Sequence, residues 1–310
     1  MIYSNTTELL ELLKREKLWA QKKLGQNFLV NPQVLEKIIE AAQLTKEDFV
    51  LEIGPGLGIL TEQLASHAKK VTAIEYDRTI IPVLQKNLRG ADINNVFILN
   101  EDALKTALPS EPYKLVANIP YYITSPILNH FLQPKNQQAL EQKKDKPETP
   151  SPQTLKQDQS QTPQALRPKL IVLLVQKEVA QKICAKQGDQ TILSLQVQIF
   201  GEPSIVCNVG RGSFFPQPEV DSAVIKIQTY PEPLISNIGY FFTFIKAAFS
   251  QKRKKISNTL PHALHLTTAQ SEELFKLSNI SHDLRPQNMS LQDWKALIQA
   301  YEKISQGKTI

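Results

Sequence analysis

Hydrophobic and polar positions alternate with two different periods along most of the chain. In residues 6–18, Leu9, Leu12 and Leu13 recur at helical spacing, which predicts an amphipathic helix. A basic, glycine-containing turn follows, Lys22-Lys23-Leu24-Gly25-Gln26-Asn27-Phe28-Leu29. A second helix is predicted over Pro32–Ala42, with proline in the first turn, where its missing N–H is not needed. Beyond it, short β-branched runs at Phe49–Ile53, Val71–Glu75, Val96–Leu99, Lys114–Asn118 and Leu170–Val175 alternate with helical patterns. Those patterns fall at Leu60–His67, Thr79–Leu88 and Pro126–Leu132. Such alternation predicts an α/β fold: a doubly wound, mostly parallel sheet covered by helices on both faces. Two later runs, Ile205–Val209 and Ser222–Ile227, are close enough in sequence to pair as an antiparallel edge.

Two regions depart from the pattern. Residues 134–168 are rich in Pro, Gln and Lys, contain no aromatic residue and show no apolar period. A segment of that composition buries too little surface to offset its ordering entropy, so a disordered surface insertion is expected. From Pro231 onward strand patterns vanish, and helical periods dominate at Tyr240–Ser250, Ser271–Leu277 and Leu291–Ile304. The predicted organisation is an N-terminal helical extension (1–22), an α/β domain (23–230) and a small all-helical C-terminal domain (231–310).

Composition narrows the class. Of 310 residues, 41% are hydrophobic and 21% charged, which excludes wholesale disorder. Two cysteines, Cys184 and Cys207, cannot build a disulfide framework or a multi-thiolate zinc site, and their scarcity fits a reducing compartment. No run approaches the length of a membrane span. Glu8, Glu11, Lys14, Arg15 and Glu16 stand where a signal peptide needs apolar residues, so a cytoplasmic protein is expected. The net charge of +6 leans modestly toward a polyanionic partner. The five histidines are scattered without carboxylate or thiol company, so no metal is assigned.

The candidate chemistry starts at Phe49-Val50-Leu51-Glu52-Ile53-Gly54-Pro55-Gly56-Leu57-Gly58, a strand running into a glycine-rich turn and a helix. Glycines here let the backbone approach a nucleotide-like ligand. Glu75 ends the next strand, twenty-one residues after Gly54, where a carboxylate accepts ribose hydroxyls. Glu52 beside the turn disfavours a diphosphate and suits the cationic methionyl end of S-adenosylmethionine. Asp102 follows the third strand as the acceptor for an adenine amine, with Glu101 as the alternative.

The most specific segment is Asn118-Ile119-Pro120-Tyr121. An exocyclic adenine amine is a poor nucleophile because its lone pair is delocalised into the ring. An Asn oxygen and the carbonyl beside Pro120 can accept its two hydrogens and favour the pyramidal geometry required for methyl transfer. Tyr121 offers a face for a splayed-out base.

Taken in series, the Gly54–Gly58 turn, Glu75, Asp102 and Asn118-Ile119-Pro120-Tyr121 resemble the rRNA adenine dimethyltransferase family, and most closely its bacterial small-subunit branch. Leu24-Gly25-Gln26-Asn27-Phe28-Leu29, Phe214-Phe215-Pro216-Gln217-Pro218-Glu219-Val220-Asp221-Ser222-Ala223 and Ala248-Phe249-Ser250-Gln251-Lys252-Arg253-Lys254-Lys255 also look like the family's own segments. The resemblance implies a class I S-adenosylmethionine-dependent methyltransferase that dimethylates N6 of two adjacent adenines in 16S rRNA. Its partner would be the small ribosomal subunit, met through a helical rRNA-binding domain; a monomer is the default expectation. Asn27, Leu29, Gly54, Gly56, Glu75, Asp102 and Asn118 would bind the donor. Asn118 and Pro120 would hold the amine, with Tyr121 and Phe214 sandwiching the base. The resemblance also turns a basic set (Lys22, Lys23, Arg211, Lys252, Arg253, Lys254, Lys255) from a solvated face into a phosphate-binding one. One departure is Tyr122, where many members carry Asn. The alternatives are a large-subunit adenine methyltransferase of the antibiotic-resistance type and a non-catalytic RNA-binding assembly factor. Thr124-Ser125-Pro126 and Val220-Asp221-Ser222-Ala223 resemble the small-subunit branch more, and the intact Gly54–Gly58 turn argues for retained chemistry.

Overall fold

The computed structural model describes residues 2–3, 5–133, 166–251 and 253–306. The chain divides into two compact units, residues 1–180 with 203–229, and 181–202 with 230–310.

The first unit opens with α1 (Thr6–Arg15), capped by Asn5, whose side chain accepts from the Glu8 N–H. Leu9, Leu12 and Leu13 are buried, so this helix belongs to the core of the unit rather than standing apart as an extension. Then come β1 (Phe28–Leu29), α2 (Pro32–Ala42), β2 (Phe49–Ile53), α3 (Ile59–His67), β3 (Lys70–Ile74), α4 (Ile81–Gly90), β4 (Val96–Leu99), β5 (Lys114–Asn118) and α5 (Thr124–Leu132). After the undescribed segment follow β6 (Leu170–Gln176), α6 (Lys177–Ile183), α7 (Ile192–Gln198), β7 (Gly201–Val209), β8 (Phe214–Phe215) and β9 (Ser222–Thr229). Helices α6 and α7 lie in or at the edge of residues 181–202, a stretch the sequence reading left inside the α/β domain. Those residues join the second unit instead.

Seven strands form one sheet in the order β4-β3-β2-β5-β6-β9-β7. Strands β4, β3, β2, β5 and β6 are mutually parallel, and β9 runs antiparallel to β6, from Leu170↔Gln228 to Gln176↔Ser222. Strands β2, β5 and β6 are buried on both faces, which explains their unbroken apolar runs. The order reverses direction between β2 and β5, which opens a crevice at their carboxyl ends. Strands β1 and β8 form a separate antiparallel ribbon, Phe28↔Phe215 and Leu29↔Phe214.

Most of the predicted insertion, residues 134–165, lies outside the described residues. Its last three positions belong to the fold: the Leu166 N–H donates to the Pro109 carbonyl at 3.1 Å, and the Tyr113 hydroxyl donates to the Leu166 carbonyl at 3.3 Å.

In the second unit, α8 (Ile238–Phe249), α9 (Ile256–Ala263), α10 (Thr268–Ser278) and α11 (Leu291–Gln306) follow Tyr230. No strand occurs among the described residues from 231 onward. Trp294, Phe200, Phe241, Phe244 and Phe275 are its largest buried side chains.

Candidate active site

The carboxyl ends of β2, β3, β4 and β5 deliver Gly54, Glu75, Asp102 and Asn118 to the wall of one cavity of about 420 Å³. Gly56, Asn27, Leu29, Pro120 and Tyr121 line the same cavity. All the donor-site residues expected from the sequence therefore share one enclosure within the first unit.

The glycine turn after β2 has a steric cause. Gly56 sits at φ +57, and a Cβ there would lie 3.3 Å from the Phe28 ring. At Gly58, φ is +98 and a Cβ would come within 2.7 Å of Leu84. A side chain at Gly56 is strained by its backbone as well as by its neighbour.

Glu75 is 6% exposed. Its Oε2 accepts the Gly56 N–H at 3.2 Å and its Oε1 the Asp77 N–H at 2.8 Å. One lone pair on each oxygen remains for ligand hydroxyls. Burial holds its carboxyl above the usual carboxylate range, against the lowering effect of the Asp77 and Gly56 N–H groups.

Asp77, which the sequence reading missed, fastens the segment before β1. Its Oδ2 accepts from the side-chain amides of Gln21 at 2.9 Å and Gln26 at 2.8 Å. Its Oδ1 accepts from the Thr79 N–H at 3.0 Å and the Thr79 hydroxyl at 2.6 Å. Burial alone would raise this carboxyl, but the Thr79 and Gln26 hydrogen bonds bring it below its ordinary value. An acid two positions after the strand-end Glu75 was the available signal.

Asp102 caps its own turn, its Oδ1 accepting from the Leu104 N–H at 3.0 Å. Glu101, the alternative acceptor, also reaches the cavity wall.

Asn118, at the end of β5, donates its Nδ2–H to the backbone carbonyl of Asn27 at 3.2 Å. This fixes which way the amide faces. Pro120 leads into a 3-10 turn at Tyr121–Ile123. The Tyr121 hydroxyl and the Ser222 hydroxyl are 2.5 Å apart, and Ser222 is fully buried. Burial keeps the Tyr121 phenol above its ordinary range, despite the Ser222 hydrogen bond. The ring is therefore a neutral, anchored plate. Ser222 was missed because a serine opening a strand carries no distinctive pattern.

Two expectations need correction. Phe214 is not on the cavity wall: it is 4% exposed, pairs with Leu29 in the β1/β8 ribbon and belongs to the hydrophobic core. The pairing with Leu29 draws Phe214 inward. Glu52 is likewise off the wall. It is 1% exposed, and neither its Oε2 nor the buried Thr61 hydroxyl has a hydrogen-bond partner. Burial, reinforced by the nearby Glu75 charge, pushes the Glu52 carboxyl up to about 8.

Of the basic set, Lys23 and Arg211 are exposed on the first unit, and Arg253, Lys254 and Lys255 on the second. Arg211 approaches Asp221 at 4.0 Å, and Lys255 pairs with Asp283 at 2.7 Å. Lys22 lies in a 3-10 turn, Lys22–Leu24. Lys252 lies outside the described residues. Among the described residues no helix is long and apolar enough to cross a membrane, and no cluster of three metal-ligating side chains occurs.

The wall fits an adenosyl donor better than a dinucleotide. It presents the Glu75 carboxylate and the Asp102 side chain, and among its described residues there is no Lys, Arg or His to neutralise a pyrophosphate.

Comparison with known proteins gives the same picture. The family model "Ribosomal RNA adenine dimethylase" matches residues 18–303. A Dehalococcoides mccartyi protein named "Ribosomal RNA small subunit methyltransferase A" is 36% identical, with 94% of this chain and 91% of the relative covered. One of the same name from Enterococcus faecalis is 37% identical, with 94% of each covered. Among solved structures, a dimethyladenosine transferase from Plasmodium falciparum is 28% identical with a TM-score of 0.70, covering 90% of this chain and 98% of that one. The 23S rRNA methyltransferase ErmE is 25% identical with a TM-score of 0.66, covering 89% of this chain and 100% of that one.

Proposed function

The chain belongs to the ribosomal RNA adenine dimethylase family, and from that premise we propose that it dimethylates N6 of two adjacent adenines in small-subunit (16S) rRNA. It uses S-adenosylmethionine and acts as a monomer during small-subunit biogenesis in the cytoplasm. The donor supplies an electrophilic methyl group on a sulfonium.

The rest is the work of the chain's own residues. Glu75 keeps acceptor capacity for the ribose hydroxyls, and Asp102 stands where an adenine amine needs an acceptor. Gly54 and Gly56 give the backbone close access to the methionyl end, while Asn27 and Leu29 close the cavity from the N-terminal side. Asn118 accepts one amine hydrogen on Oδ1, and the carbonyl beside Pro120 accepts the other. That pairing turns the nitrogen lone pair toward the methyl group, which favours the transition state over the planar ground state. The alkylated amine is acidic enough to lose its proton to water, so no strong base is needed. A base inside a helix cannot reach this wall, so the target adenine is flipped onto Tyr121. Phe214, being in the core, holds Leu29 in place rather than forming the second face of a sandwich. Exposed Lys23, Arg211, Arg253, Lys254 and Lys255 supply salt-sensitive phosphate contacts.

The observation that carries this reading is the Asn118 amide, pinned through its nitrogen beside an anchored Tyr121 with its oxygen left for substrate. The curated relatives named for the small subunit, at 36% and 37% identity, favour that subunit over the large one named for ErmE at 25%. Mass spectrometry of rRNA from cells lacking the protein tests it. Dimethyladenosine should be missing from small-subunit rRNA and return when the chain is restored; undiminished dimethyladenosine would contradict it.

A further inference from the structure

The cavity wall includes one residue from far outside the recognised motifs. Tyr3 is 1% exposed and lines the cavity. It is held there from both sides. The Ile2 N–H donates to the Glu62 Oε2 on α3 at 2.7 Å, and α1 buries Leu9, Leu12 and Leu13 in the core. A Cβ on Gly58 would lie 3.1 Å from the Ile2 side chain, so the absence of one helps make room for this segment.

A phenol lining a cavity can donate its hydroxyl to a ligand bound there. Burial raises the Tyr3 phenol far above its ordinary value, so it stays protonated and acts as a hydrogen-bond donor. On the donor reading proposed above, on which this inference rests, the ligand carries one anion, its methionyl carboxylate. The acids on the wall repel that anion, and no basic side chain among the described wall residues offsets them. The sulfonium and ammonium groups accept no hydrogen bond. The ribose is served by Glu75 and the adenine amine by Asp102. The carboxylate therefore needs neutral donors, and among the described wall residues Tyr3 is the buried side chain that offers one.

We propose that Tyr3 is a donor-binding residue that hydrogen-bonds the carboxylate of S-adenosylmethionine, making the N-terminal segment part of the methyl-donor site.

The test is calorimetric titration of the full chain and its Tyr3→Phe variant with S-adenosylmethionine and with its decarboxylated analogue. The melting temperature without ligand serves as the fold control. Tyr3→Phe should weaken S-adenosylmethionine about tenfold, as expected for a hydrogen bond to a charged group. It should leave the analogue's affinity and the melting temperature unchanged. Equal weakening of both ligands would make Tyr3 a packing residue and overturn the assignment, as would no change for either. Absence of heat with the unmodified chain would refute the donor reading itself, and this inference with it.

Discussion

The Asn118 side-chain nitrogen and the Asn27 carbonyl oxygen, 91 residues apart in sequence, meet at 3.2 Å. The contact joins the end of β5 to the segment that closes the cavity, and it directs the amide oxygen rather than the amide nitrogen toward substrate. Asn118→Ala removes that acceptor without touching Glu75, Gly54 or Asp102. The expected result is donor affinity within about threefold of the unmodified chain by calorimetry, and turnover reduced by at least about a hundredfold. Unchanged turnover would remove the account of amine activation.

Tyr121 depends on Ser222 for its orientation. Tyr121→Ala should weaken target-RNA binding by about 1–3 kcal/mol, the value of one base stacked on an aromatic ring. Ser222→Ala keeps the ring but frees its hydroxyl, and should raise KM for RNA with little effect on donor affinity. Because the two residues share one hydrogen bond, Tyr121→Phe combined with Ser222→Ala should be no worse than the poorer single variant. Additive losses would mean that the pair does not act as a unit.

Glu52 gives a pH signature to stability. Its folded-state value of about 8 lies above the ordinary 4.5, so from about pH 4.5 to pH 8 the folded chain holds a proton that the unfolded chain has lost. The stability this group contributes is full below the ordinary value and is lost as pH rises through the folded one. Glu52→Gln should therefore melt higher than the unmodified chain at pH 8, with the advantage shrinking toward pH 5. An advantage independent of pH would contradict the assignment of a buried neutral carboxyl.

Asp77 behaves with the opposite sign. Its carboxyl is held below the ordinary value, so its contribution is present at neutral pH and lost as pH falls through the folded-state value. Asp77→Ala frees Gln21 and Gln26 together. It should cost about 1–3 kcal/mol at pH 7 by denaturant titration and raise donor KM more than it lowers kcat. A variant with unchanged donor KM would show that the Gln21–Gln26 segment does not need this tether to close the cavity.

The sheet was legible because its strands are either fully buried runs or strand ends bearing chemistry, and both leave local signatures. The strand-end residues Gly54, Glu75, Asp102 and Asn118 could be placed from spacing, since parallel strands bring their carboxyl ends to one rim. What escaped was set by long-range packing. Phe214 is turned into the core by its pairing with Leu29, a partner far away in sequence. Glu52 looks like a ligand-facing acid beside a glycine turn, yet it is buried and off the cavity wall. Tyr3 carries no local signal, because its position depends on α1 packing onto the same unit. Residues 181–202 read as a continuation of the α/β pattern, and only tertiary contacts assign them to the second unit.

The central claim is tested most directly by incubating the purified chain with S-adenosylmethionine and unmethylated small and large ribosomal subunits separately, then analysing the nucleosides of each by mass spectrometry. The account predicts N6,N6-dimethyladenosine at two adjacent positions of small-subunit rRNA, none in the large subunit, and none in either with Asn118→Ala. Dimethyladenosine confined to the large subunit, or formed at an undiminished level by Asn118→Ala, would contradict it.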